Sequence, residues 1–274
     1  MHTSLANVCI HTITTKPWDV KECAIHFSKE GFGGISVWRN TLEGRNIKET
    51  GKMIRDHGLE IISLVRGGFF PSTSTVKRQQ SIDDNLKAID EASALGAPLI
   101  VLVCGADPAQ SLEKSREQIK EGIGKLIPHA IASHVKLAIE PLHPVYAGDR
   151  SAINTMRQAN DMAMELNSKA VGVALDVYHV WWDPELEYEI MRCGKKDKLF
   201  AYHICDWKTS LSDVLNDRGL MGEGCININQ ITSWVRNAGF TGKEEIEIFS
   251  NKYWSMDQHL FLKKIKESYL NLNK

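Results

Sequence analysis

Eight short runs rich in β-branched and apolar residues recur along this chain, each followed by a segment of helical periodicity. The runs are NVCIHTI (7–13), GISVWR (34–39), EIISLVRGG (60–68), PLIVLVCG (98–105), KLAIEPLH (136–143), VGVALDVYH (171–179), LFAYHICDW (199–207) and EEIEIFS (244–250). One intervening segment, SIDDNLKAIDEASALGA, has Ser81 as a helix N-cap with Asp84 three residues on. It carries an apolar stripe of Ile82, Leu86 and Ile89, and Gly96 stands at its C-terminal end. SAINTMRQANDMAMELN, NINQITSWVRNAGF and SMDQHLFLKKIKESYL read the same way, and Gly31, Gly58 and Gly239 also sit where a helix should stop. Strict alternation of strand and helix requires parallel strands with crossover helices. Eight repeats in 274 residues fit a single (β/α)8 TIM barrel spanning 1–274. A doubly wound sheet is the competing architecture, but no G-x-G-x-x-G turn follows the first strand, and no linker divides the chain.

Charge and cysteine usage narrow the function classes. A net charge of −1 provides no field to attract a polyanion, so a nucleic-acid partner is not expected. The six cysteines are scattered with no C-x-x-C pair, as in a reduced, cytoplasmic protein. The opening MHTSLANVCIHTITTKPWD lacks the basic and apolar regions of a signal peptide, and no apolar run approaches the length of a membrane span.

Side chains alternate along a strand, so in a barrel one parity faces the helices and the other the interior. In the fifth run Leu137 and Ile139 oppose Ala138 and Glu140. In the sixth, Val173, Leu175 and Val177 oppose Ala174, Asp176 and Tyr178. In the seventh, Phe200, Tyr202 and Ile204 oppose Ala201, His203 and Cys205, and in the eighth Ile246 and Ile248 oppose Glu245 and Glu247. The apolar sets should pack outward. Each of these strands then delivers one polar residue inward near its C-terminal end: Glu140, Asp176, His203 and Glu247. That end carries the active site in such barrels. Taken singly, each could be a buried polar residue paired with a neighbour. In matched register, three carboxylates and an imidazole need a cation. Oxygen-rich ligands with one nitrogen suit Mn²⁺, Mg²⁺ or Co²⁺ better than a structural zinc site. Glu245 lies one layer deeper and needs a partner, for which Lys136 is a candidate.

LAIEPLHP, GVALDVYHVWWDPEL, AYHICDW, RGLMGEG and EEIEIFS, in this order and spacing, resemble the xylose isomerase-like TIM-barrel superfamily, in particular its sugar phosphate isomerase and ketose 3-epimerase group. The earlier strands match only in pattern. The resemblance implies one divalent metal, usually Mn²⁺, held by Glu140, Asp176, His203 and Glu247, with Glu140 and Glu247 as the acid/base pair. It places His179 and Arg218 on substrate oxygens, and it implies a sugar or keto-sugar substrate and a dimer or tetramer. The implied reaction removes a proton beside a carbonyl to give a cis-enediolate, whose reprotonation epimerises or isomerises the sugar. Loss of a β-substituent would instead make a lyase or dehydratase acting on a keto-sugar, a 3-keto-glycoside or a keto-inositol. His143, absent from the epimerase pattern, could be the extra base of such an elimination or could merely bond a loop.

Weaker signals surround these motifs. His11, Trp38 and Arg66 close the first three strands and could line a sugar pocket. Arg66, before Gly67-Gly68, could bind an acidic group or form a surface salt bridge. Trp181 is a candidate for stacking on a sugar ring, with Trp182 beside it, or for packing the loop. Asp183-Pro184 should start a helix as N-cap and N1. DRGLMGEG lacks the ending of a phosphate loop and reads as a mobile loop carrying Arg218. An apurinic endonuclease would need more paired histidines and a basic face, and the complete ligand quartet argues against a non-catalytic scaffold.

Overall fold

The structure is a computed structural model that describes residues 4–272; the remaining terminal residues of the expected 1–274 domain lie outside the described part. Eight parallel strands form a closed barrel in sequence order: β1 Val8–His11, β2 Gly34–Trp38, β3 Glu60–Gly68, β4 Leu99–Val103, β5 Lys136–Glu140, β6 Val171–Asp176, β7 Leu199–Ile204 and β8 Glu244–Ile246. β8 returns to pair with β1, leaving no open edge. The helices are α1 Val20–Lys29, α2 Ile47–Asp56, α3 Thr75–Leu95, α4 Leu112–Ala132, α5 Met156–Glu165, α6 Val177–Val180, α7 Leu186–Gly194, α8 Ile228–Asn237, α9 Asn251–Trp254 and α10 Gln258–Asn271. No described helix is long and apolar enough to cross a membrane. The fold is the expected single barrel.

The core divides as the alternation requires. Leu137, Ile139, Val173, Leu175, Tyr202, Ile204, Ile246 and Ile248 join the large shell between strands and helices. Val65, Val101, Ala138, Ala174 and Ala201 form a separate layer inside the barrel. Three alanines in that layer leave room directly beneath the polar residues of β5, β6 and β7. Phe200 departs from the expected outward set: it packs on the interior layer, with Lys136 Nζ 4.6 Å from its ring centre. A register shift between Val173 and Ala174 accommodates it.

Several element ends differ from expectation, each through a specific hydrogen bond. α3 begins at Thr75, capped by the Ser74 hydroxyl, rather than at Ser81. Its first turns, TVKRQQ, are polar and carry no apolar stripe. Ser81 instead donates to the Gly68 and Phe69 carbonyls at 3.1 and 2.9 Å. Gly96 does end α3, at φ +84°. α7 begins at Leu186, not at Pro184, because the Asp183 carboxylate accepts the Glu185 N–H at 3.0 Å and closes a turn of its own. β6 stops at Asp176, whose side chain caps α6 by accepting the Tyr178 N–H at 2.9 Å. β8 stops at Ile246, where the Thr14 hydroxyl takes over as acceptor for the Ile248 N–H.

Candidate metal centre and adjoining cavity

Register brings the polar residues of β5 to β8 together. Asp176 is the cross-strand partner of His203, and His203 of Glu245. Glu140 ends β5, and Glu247 follows β8 by one residue, so all four side chains sit at the C-terminal mouth. One ligand atom from each of Glu140, Asp176, His203 and Glu247 lies within 4.8 Å of the others, and all four residues are buried.

The approach distances have a character that ordinary pairing does not explain. His203 Nδ1 lies 3.2 Å from Glu140 Oε1 and 3.9 Å from Glu247 Oε2. Neither Nδ1 nor Glu140 Oε1 has a hydrogen bond of acceptable alignment. Buried donors and acceptors rarely stay orphaned. A carboxylate oxygen and an imidazole nitrogen aimed at one point without bonding each other fit a shared divalent cation. These residues therefore form a set able to hold one.

Burial and neighbours set the charges. Burial raises the Glu140 carboxyl above its ordinary range, and the Glu247 and Asp176 charges add to this, against the opposing pull of His203. Burial would also raise Glu247, but the charge and hydrogen bond of His11, the Arg218 guanidinium and His203 outweigh it and hold Glu247 well below that range. For His203, burial opposes the charge, yet Glu140, Glu245 and Glu247 push it up to about 10. His179 is pushed down to about 3, chiefly by burial, and stays neutral.

Beside the quartet lies a cavity of about 110 Å³. Glu140, Glu247, His179, Arg218, Arg66 and Trp38 line it; of these, His179, Arg218, Arg66 and Trp38 were candidates for contacting substrate. Trp38 Nε1 and His179 Nδ1 are buried without hydrogen-bond partners. Arg218 is not carried on a loose loop. It is buried, donating through Nη1 to Asp176 Oδ2 at 2.8 Å and Glu247 Oε2 at 3.3 Å, and through Nη2 toward His179 Nε2 at 3.2 Å.

Three candidates fall outside the cavity lining. His11 is wholly buried in the barrel, with Nε2 3.1 Å from Glu245 and Nδ1 2.9 Å from Glu247. Both ring nitrogens face the glutamates, not the cavity. His143 accepts the Val145 N–H on Nδ1 and stacks on Trp207 with ring centres 4.8 Å apart, so as placed it bonds its own loop. Trp181 packs against the outer core 5.9 Å from Trp207, and Trp182 donates to the His179 carbonyl; the aromatic walls of the cavity are Trp38, Tyr146 and Phe249.

Sequence reasoning misassigned or missed three supports. Glu245 is partnered by the Ser36 hydroxyl at 2.6 Å and by His11, not by Lys136. It also stands 3.9 Å from His203 Nε2, with no hydrogen bond between them, and acts on that ring through its charge. Asp206 accepts four backbone N–H groups, from Trp207, Gly222, Gly224 and Ile226, and so pins the segment bearing Arg218. The only local signal was an acid two residues beyond the end of β7, followed by a glycine-rich loop. Arg150 also lines the cavity, brought there when Gly105 N–H bonds its carbonyl at 2.8 Å. No periodicity marks a residue placed by such a contact.

Known proteins share this architecture. The protein SMc04130 from Sinorhizobium meliloti 1021 has a crystal structure that superposes with a TM-score of 0.94 at 40% identity, covering 98% of each chain. The IOLI protein, crystallised with a bound zinc atom, superposes at 0.85 with 20% identity over 97% of each chain, a likeness of fold. An inosose isomerase of Bacillus licheniformis is 25% identical over 208 residues, 73% of this chain and 71% of that protein. The model of the xylose isomerase-like TIM barrel matches residues 26–265, and the chain belongs to that family.

Proposed function

We propose that this barrel is a divalent-metal-dependent isomerase or epimerase of a keto-sugar or keto-inositol. The observation that carries the reading is the convergence of Glu140, Asp176, His203 and Glu247 on one point, with orphaned donor atoms, beside a closed-in cavity. Three carboxylates and one imidazole favour Mn²⁺ as the ion. Once bound, it would polarise a substrate carbonyl and acidify the neighbouring C–H. The similarity to inosose isomerases supports a polyhydroxylated ketone as substrate.

The chain's own groups then divide the proton transfer. Glu247, kept anionic by His11 and Arg218, is the group free to accept a proton. Glu140, whose carboxyl burial raises, is the group able to hold a proton and return it. Return to the same carbon from the opposite face epimerises; return to the adjacent carbon isomerises. Because Arg218 donates to His179 Nε2, the neutral imidazole carries its proton on Nδ1, which is free to donate to a substrate oxygen. Trp38 Nε1 is a second free donor, and Leu142, Leu215 and Phe249 keep bulk water from the reacting atoms. All the cysteines are free thiols, which supports a reducing, cytoplasmic setting.

The test is to incubate Mn²⁺-loaded protein with keto-sugars and keto-inositols in D₂O and follow the products by NMR. Deuterium in a rearranged ketone supports the reading. Release of water or an aglycone without rearrangement would move the chain to the lyases, which use the same centre. Glu140→Gln and Asp176→Asn should each weaken Mn²⁺ binding by about 100-fold or more in calorimetry. Unchanged affinity would remove the site.

A further inference from the structure

Every other arginine of the described chain has a hydrogen-bond acceptor for its guanidinium: carboxylates for Arg39, Arg45, Arg157, Arg192, Arg218 and Arg236, carbonyls for Arg55, Arg78 and Arg116. Arg66 and Arg150 have none among the described residues, and both line the cavity beside the metal centre. Each is only partly exposed. Their contacts are with aromatic faces. The Arg66 guanidinium carbon lies 4.5 Å from the Phe69 ring centre and 5.9 Å from that of Trp38, and Arg150 lies 5.8 Å from Tyr146. Stacking uses the flat faces of a guanidinium and leaves its edge of N–H donors open. The Tyr146 hydroxyl donates to the Val214 carbonyl at 2.9 Å and bonds neither arginine.

The scaffold holds both in place. A register shift between Val65 and Gly67 lets the consecutive residues Val65 and Arg66 both face the cavity. Asn85 locks the turn that follows, accepting the Gly68 N–H at 2.7 Å and donating to the Gly68 carbonyl at 2.8 Å. A side chain at Gly68 would strike the Val103 carbonyl. Two like charges share one pocket, and Glu140 and Glu247, which line it too, form no ion pair with either of them. Burial, with the charge of Arg150, lowers the Arg66 pKa against the opposing pull of Glu140 and Glu247.

We propose that Arg66 and Arg150 form a subsite for an oxyanion on the substrate, a carboxylate or a phosphate monoester. The inference rests on the proposed function: the keto-sugar would be an acid or a phosphate, not a neutral sugar. Two guanidiniums present several donors to such a group, and charge-assisted pairs of this kind are strong where water is excluded.

The test is calorimetric binding to the full-length, Mn²⁺-loaded chain of three probes: fructose, fructose-6-phosphate and keto-gluconate. One anionic probe should bind about 10-fold or more tightly than fructose, and which one identifies the source of the oxyanion. Arg66→Gln and Arg150→Gln should each remove most of that advantage and leave fructose affinity unchanged. Raising salt from about 0.05 M to about 0.3 M on the wild type should weaken only the anionic probe, which keeps the test decisive if a variant misfolds. Equal affinity for charged and neutral probes, or an anion preference that survives both substitutions, overturns the subsite. Binding needs no turnover. An arginine-dependent preference in a chain that rearranges no ketone would overturn the isomerase reading alone, whereas rearrangement of ketones by a chain that binds charged and neutral probes equally would overturn the subsite alone.

Discussion

Glu245 has no solvent contact and lies one layer beneath the ligand quartet, where its carboxylate is shared between Ser36 and His11 and backs His203. Burial works to raise its pKa, but the His11 hydrogen bond, the charges of His203 and His11, and the Ser36 hydroxyl lower it below 4.5. A group depressed on folding stabilises above its unfolded pKa, and the contribution is lost as the pH falls through its folded value. Glu245→Gln should therefore cost about 3 kcal/mol near neutral pH, and its difference from wild type should narrow in acid, as read by denaturant unfolding. The same variant should weaken Mn²⁺ binding by about 10- to 100-fold, because it removes a buried negative charge behind His203. The indoles make a second residue-level contrast. Trp38 lines the cavity, whereas Trp181 packs the outer loop. Trp38→Ala should lower kcat/KM by about 10-fold or more. Trp181→Ala should leave kcat/KM nearly unchanged and cost about 2–3 kcal/mol of stability. The opposite pattern would exchange their roles.

Among the elements, the segment after β7 decides whether the centre is complete. Arg218 is buried against Asp176 and Glu247, yet no regular element carries it. Its position comes from Asp206, whose four accepted N–H groups fold the glycine-rich stretch back on β7, and from a bond between the Arg218 N–H and the Phe249 carbonyl. Lys208 pairs with Asp217 across the same segment. Asp206→Ala would orphan those N–H groups and should cost about 3–5 kcal/mol. Proteolysis confined to 208–224 and a fall in activity larger than the fall in folded fraction are the expected readouts. Intact resistance to protease would show that the loop holds itself. The last four strands were legible because an outward apolar set opposing an inward set that ends in a polar residue leaves a period of two. The first turns of α3 and the start of α7 were not, because a serine cap over a polar turn and an aspartate turn carry no apolar period.

For the molecule as a whole, closure of β8 onto β1 turns four separate strand ends into one site. A ligand that binds only the closed barrel must stabilise it. At about 100 times its dissociation constant, Mn²⁺ should add about 2.7 kcal/mol, a rise in Tm of a few degrees for a chain of this length. Asp176→Asn should abolish the rise, and a rise persisting in that variant would place the ion elsewhere. The alternation of eight apolar runs with amphipathic segments was enough to specify the barrel, since parallel strands with short crossovers have few other ways to bury both sheet faces. Strand parity was likewise enough to bring Glu140, Asp176, His203 and Glu247 to one mouth, because alternation and strand direction are local and additive. What parity could not supply was the assignment of everything that reaches the site from outside its own strand. His11 stays below with Glu245, His143 bonds its own loop, and Arg150 enters by a backbone contact 45 residues from Gly105. Those positions depend on which hydrogen bonds a loop can close once neighbouring strands are in place, a constraint that exists only in the folded chain.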